Sequence, residues 1–91
     1  MAENPDPNRI DAKRALMESI NNNELTLGAA VRGMRKLTGM SQKAYAERII
    51  GISTRILAEI ERDEGNPTVE TLNKIGRPFG LAAGFVTKNR Q

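Results

Sequence analysis

Ser41-Gln42-Lys43-Ala44-Tyr45-Ala46-Glu47-Arg48-Ile49-Ile50-Gly51-Ile52-Ser53-Thr54-Arg55-Ile56-Leu57-Ala58-Glu59-Ile60-Glu61 reads as two short amphipathic segments parted by a glycine, each opened by a serine. A serine ahead of an apolar-periodic run is a helix start signal, because its hydroxyl accepts from a first-turn N–H that has no partner within the helix. Ser41 and Ser53 are therefore predicted to cap two helices. In the first, Tyr45, Ala46 and Ile49 are expected to share the inward face; in the second, Ile56, Leu57 and Ile60. Gly51 falls where a sharp reversal needs a residue without a side chain.

A steep crossing through so short a turn requires a small residue in the first helix, and Ala46 meets that need. Burial of the apolar face leaves Ser53, Thr54, Arg55, Ala58 and Glu59 pointing outward from the second helix. These side chains suit entry into a DNA major groove. An ordinary helical hairpin with a solvated outer face has the same pattern, so periodicity alone leaves both readings open.

Longer stretches carry a resemblance. Val31-Arg32-Gly33-Met34-Arg35-Lys36-Leu37-Thr38-Gly39-Met40-Ser41-Gln42, then Lys43 to Ile49, Gly51 to Arg62 and Asn66-Pro67-Thr68-Val69-Glu70-Thr71-Leu72-Asn73-Lys74-Ile75, resemble in order the Cro/C1-type helix-turn-helix family of phage repressors and bacterial regulators, also called the xenobiotic response element family. The likeness covers about residues 27–81. It implies an all-α, five-helix, lambda-repressor-like DNA-binding bundle, here with an added N-terminal helix and a short C-terminal β-strand at a dimer interface.

Two features depart from the family pattern. Ile49-Ile50-Gly51 has one more residue than the usual single aliphatic before glycine, so the first helix of the motif is either longer or locally bulged, with the second helix re-aimed. Pro78 falls where the family's fourth helix usually continues, and that helix should end or kink near Gly76 because proline lacks an N–H and crowds the preceding turn.

Composition narrows the functions. With 91 residues and 3% aromatics, the chain has room for one modest core of Leu, Ile, Val, Met and Ala. It has no Cys and no His, which excludes disulfides, thiolate or imidazole metal sites and His-based triads. No cofactor or metal site is expected, and no enzyme. The polar, acidic start Met1-Ala2-Glu3-Asn4-Pro5-Asp6 is unlike a signal peptide, and no apolar run approaches a membrane span, so a cytoplasmic protein is expected. The formal net charge of +3 is uneven. Residues 1–26 carry three basic and five acidic side chains, so the basic excess lies on the remainder, where phosphate contact would occur.

Three divisions are expected: an N-terminal extension over 1–26, a Cro/C1-type domain over 27–81 and a strand or tail over 82–91. Met1 to Asn8 reads as a flexible lead. A helix over about Arg9 to Asn21, with Ile10, Leu16, Met17 and Ile20 as its apolar set and Asp6 or Asn8 as its cap, is predicted next. Thr26 should cap a helix running to about Leu37 and closed by Gly39, with Leu27, Ala30, Val31 and Met34 inward and Arg32, Arg35 and Lys36 outside. Thr68 should cap another, with Val69, Leu72 and Ile75 inward. Beyond Pro78, alternation at Leu81, Ala83 and Phe85 followed by Val86-Thr87 predicts a short strand, and a lone strand is most economically paired with its copy in a second subunit. Some antitoxins that share this domain have a similar strand. A short fifth helix is the competing expectation, and Lys88 to Gln91 should form a frayed tail.

The resemblance implies a homodimeric repressor of a palindromic operator in double-stranded DNA. It would use Ser41, Gln42, Lys43, Ser53, Thr54, Arg55, Ala58, Glu59, Arg62 and Asn66 on DNA, and Phe79, Leu81, Ala83, Phe85 and Val86 between subunits. Gln42 would clamp the DNA backbone. Arg55 would read guanine through its planar fork. Glu59 is better read as an exposed helical carboxylate than as a base contact, while Asp63 and Glu64 work against phosphate contact. The alternative is an antitoxin that binds a toxin protein and represses its own operon.

Overall fold

Four hydroxyl side chains open four helices. Thr26 accepts from the Ala29 N–H at 3.1 Å, Ser41 from Ala44 at 3.1 Å, Ser53 from Ile56 at 3.1 Å and Thr68 from Thr71 at 3.0 Å. Each such cap stabilises its helix by about 1 kcal/mol. All four were legible in the sequence.

The computed structural model describes residues 7–87. Helix α1 spans Pro7–Asn21, α2 spans Leu27–Thr38, and α3 begins at Gln42–Ala44 and continues without a break as a π-helical turn over Tyr45–Ile50. Helices α4 and α5 span Thr54–Glu61 and Val69–Gly76, and a single 3₁₀ turn, Arg77–Phe79, follows. The architecture is the all-helical bundle expected, with that turn in the place of a full fifth helix. As Pro78 requires, α5 ends at Gly76. Among the described residues there is no strand, and none of their helices is long and apolar enough to cross a membrane.

The core takes one fully buried side chain from each helix of the domain: Val31 from α2, Tyr45 from α3, Leu57 from α4 and Ile75 from α5. Ala30, Met34, Ala46, Ile50 and Ile60 complete it. Burying the aliphatic side chains among these stabilises by about 1.5–3 kcal/mol each, and the joint burial holds together helices too short to persist alone. Helix α1 packs on α2, its Leu16 lying over Gly33 so closely that a Cβ there would stand 2.8 Å from Leu16 Cδ1. Leu16 and Ile20 are the residues through which α1 reaches the core, while Ile10 is exposed.

Several expected placements are corrected. Ile49 is 44% exposed and Ile50 takes the buried position. The reason is the π-helical turn: the Gly51 N–H donates to the Ala46 carbonyl five residues back at 2.7 Å, and a turn with one extra residue brings Tyr45 and Ile50 to the same face. Ile56, Leu27 and Val69 are also exposed, each in the first turn of its helix, where fewer neighbours close over the side chain. Asn8 lies inside α1, so it is not that helix's cap, and α1 begins before the expected Arg9. The expected Asp6 cap, the rest of the flexible lead and the Lys88 to Gln91 tail lie outside the described residues.

Arg35 was expected at the surface and is instead paired across the bundle. Asp63 also has a structural role. Its carboxylate accepts from the Gly28 N–H at 2.7 Å and from the Thr26 hydroxyl at 2.8 Å, so it docks the loop after α4 on the positive N-terminal end of α2. The segment 81–87 is neither helix nor strand, and no strand lies among the described residues to pair with it.

Candidate nucleic-acid interface

The candidate face is built on the start of α4. Ser53 and Arg55 are exposed there, and Thr54 is half-buried between them. The Ser53 oxygen is held by the Ile56 N–H, which leaves its O–H free to donate outward. Farther along α4, Ala58 and Glu59 are half-buried. Glu59 lies beside the following loop, where a Cβ on Gly65 would be 3.3 Å from its Oε1. Asn66 is exposed and shares with Ile56, Glu59 and Thr71 a cleft between α4 and the start of α5. Ser41 and Lys43 are exposed at the first turn of α3.

Two predicted residues are already engaged by other side chains of the chain. Arg62 pairs through Nε with Glu64 Oε1 at 3.0 Å, both side chains more than half exposed, so its charge is partly neutralised where it stands. Gln42 is half-buried, and its Nε2 donates to Glu61 Oε1 at 3.0 Å. Its amide thus ties the start of α3 to the end of α4.

That bond belongs to a cluster the sequence reading missed. Arg35 Nε donates to Glu61 Oε2 at 2.8 Å and Nη2 to Oε1 at 3.1 Å, while Nη1 donates to the Met40 carbonyl at 3.0 Å. The side chains are only 16% and 4% exposed. Burial pushes the Glu61 carboxyl up, but hydrogen bonds from Arg35 and Gln42 and the charges of Arg35 and Arg32 outweigh it, holding the carboxyl below its usual range. The bond to Glu61 raises the Arg35 guanidinium, against the opposing effect of burial. A bidentate pair of this kind fixes angle as well as distance. It locks α2, the α2–α3 link, α3 and α4 together, and so sets the aim of Ser53, Thr54 and Arg55. A part-buried arginine in one helix and a glutamate 26 residues on have no local signal that pairs them.

The turn between α3 and α4 is equally specific. Gly51 closes the π-helical turn at φ 84°, and the Ile52 N–H shares the Ala46 carbonyl at 3.0 Å. Ile49 and Ile56 are exposed on the flanking helices.

The predicted subunit-contact residues divide into two groups. Phe79 and Leu81 pack partly buried against the core, whereas Ala83, Phe85 and Val86 are exposed.

A family model described as helix-turn-helix matches residues 31–85. Over 62 residues the chain is 31% identical to a protein named immunity repressor protein from Bacillus phage phi105, an alignment covering 68% of this chain and 42% of that relative. The chain therefore spans less than half the length of the curated relative it matches. No solved structure matches.

Proposed function

This chain belongs to the Cro/C1-type helix-turn-helix family, and we propose that it is a sequence-specific double-stranded-DNA-binding regulator acting as a homodimeric repressor. The observation that carries this reading is the exposed start of α4, Ser53 and Arg55, held at a set angle by the Arg35–Glu61–Gln42 cluster. Arg55 makes no side-chain ion pair with the described residues, so its fork is free for the two acceptors of guanine. Thr54 and Ser53 supply short polar contacts beside it. Lys43 and Asn66 flank this face as phosphate partners, with Arg62 joining them once it leaves Glu64.

Two subunits related by a twofold axis would present two copies of α4 to successive major grooves on one DNA face, about 34 Å apart, and so bind a palindromic operator. The name of the phi105 relative supports repression as the outcome. The exposed C-terminal residues Ala83, Phe85 and Val86 support self-association through that segment.

Selection from randomised duplex DNA tests the reading. A palindromic consensus is expected, with Arg55→Ala weakening binding at least about tenfold and relaxing one base position in each half-site. Recovery of no consensus, or an Arg55→Ala protein with unchanged preference and affinity, overturns it.

A further inference from the structure

Tyr45 is the largest of the fully buried side chains, 0% exposed, and its hydroxyl has no hydrogen-bond partner among the described residues. No other buried side-chain nitrogen or oxygen among them is left so. An orphaned donor in a protein interior costs stability. A fold that keeps a tyrosine there, where phenylalanine would fill the same space, calls for a use of the hydroxyl.

Its surroundings suggest which use. Tyr45 stands three residues after Gln42 on α3, the spacing that sets two helical side chains next to each other. The charges that act on its phenol are those of the same cluster: burial and the Glu61 carboxylate push the phenol up, and Arg35 opposes them. Glu61 Oε1 meanwhile accepts from Arg35 Nη2 at 3.1 Å and from Gln42 Nε2 at 3.0 Å, on a side chain only 4% exposed. Without Gln42, that oxygen loses a donor where water hardly reaches it.

We propose that Tyr45 is a positioning residue that relieves Gln42 when DNA binds: the Gln42 amide turns outward to a backbone phosphate, and the Tyr45 hydroxyl moves in to donate to the Glu61 carboxylate. Gln42 is half-buried between the exposed Ser41 and Lys43, so it borders the candidate DNA face. Before the exchange one buried donor is unsatisfied; after it, none is. Glu61 then keeps as many donors as it had, and α4 keeps its aim while α3 gains a phosphate contact. DNA thus selects between two arrangements of one cluster. The proposal rests on the DNA-binding reading above and adds to it the residue that lets Gln42 go.

Tyr45→Phe keeps the ring and deletes only the hydroxyl. In the free protein it should raise the urea midpoint, because an unpartnered donor is removed. On a duplex carrying the consensus selected from randomised DNA it should weaken binding about tenfold, the loss of one hydrogen bond to a charged group. A residue that serves packing alone does not move stability and affinity in opposite directions. The second arm needs no DNA. Gln42→Ala frees Glu61 Oε1 in the resting protein, so Tyr45 should step in, and the urea midpoint should fall less than it does in the Tyr45→Phe background. The sequence has one tyrosine and no tryptophan, so the ultraviolet spectrum reports Tyr45 directly. In Gln42→Ala its absorption should move to the red and its emission fall, as expected of a phenol that donates to a carboxylate. Unchanged DNA affinity in Tyr45→Phe, or equal Gln42→Ala losses in both backgrounds, overturns the proposal and leaves the DNA reading standing. A free Tyr45→Phe protein less stable than the unaltered chain means that the hydroxyl is already satisfied by water, which also overturns it. A chain that binds no duplex DNA overturns both.

Discussion

Arg35 and Glu61 meet in a two-pronged ion pair at 2.8 and 3.1 Å, nearly shut off from solvent, at the junction of α2, α3 and α4. Glu61 is the last residue of the candidate DNA-facing helix, so the pair grips that helix at the end opposite Ser53 and Arg55. Its role is to position: with Gln42 and the Met40 carbonyl it fixes the angle at which α4 leaves the turn.

Removing one partner leaves a part-buried charge unpaired, so Glu61→Gln should cost about 1.5–3 kcal/mol of unfolding free energy, and an aliphatic pair at both positions should recover much of it. The fold holds the Glu61 carboxyl below its ordinary value near 4.5. Its stabilisation is then complete above that unfolded-state value and is lost as pH falls through the lower folded value. Urea unfolding between about pH 7 and 2 should show an acid limb that Glu61→Gln flattens. An unchanged limb contradicts the pairing.

The π-helical turn makes opposite predictions for adjacent isoleucines. Ile50→Ala should destabilise by about 2–5 kcal/mol because it empties a core position. Ile49→Ala, at a 44% exposed site, should stay within about 0.5 kcal/mol. Equal losses in chemical denaturation would mean that the turn is an ordinary α-helix.

Gly28→Ala sets helix propensity against packing. Alanine is the better helix former by about 1 kcal/mol, yet its Cβ would stand 2.5 Å from the Ile60 carbonyl and 2.8 Å from that of Glu61. Both obstacles are backbone, so they cannot swing aside. A lowered melting temperature is expected, and a raised one would show that α2 and the end of α4 are farther apart.

On DNA, Lys43 and Arg55 should behave differently. Lys43→Ala should weaken binding to all sequences alike and reduce the slope of log affinity against log salt by about 1, since one phosphate contact is lost. Arg55→Ala should change which sequence is preferred. Titrations at several salt concentrations, on the selected site and on unrelated DNA, separate the two, and identical behaviour would count against the division of roles.

Much of the architecture was legible because its signals are local. A hydroxyl three residues ahead of an unpaired N–H, a glycine at a left-handed helix end and a proline that cannot extend α5 each act within one turn of chain. The sequence alone determined the four caps at Thr26, Ser41, Ser53 and Thr68, the close of α2 at Gly39, the end of α5 near Gly76 and the order of motifs that marks the family. Only the tertiary structure decided that Ile50 and not Ile49 enters the core, that Arg35 leaves the surface for Glu61, that Gln42 is tied to the same carboxylate and that Asp63 docks on α2. At Ile50 the choice is made by the π-helical turn that Gly51 closes on Ala46, and in the other cases by a group far along the chain or on a facing helix. A periodic pattern records which residues are apolar or charged, but the gain from burying or pairing them exists only once that distant neighbour is in place.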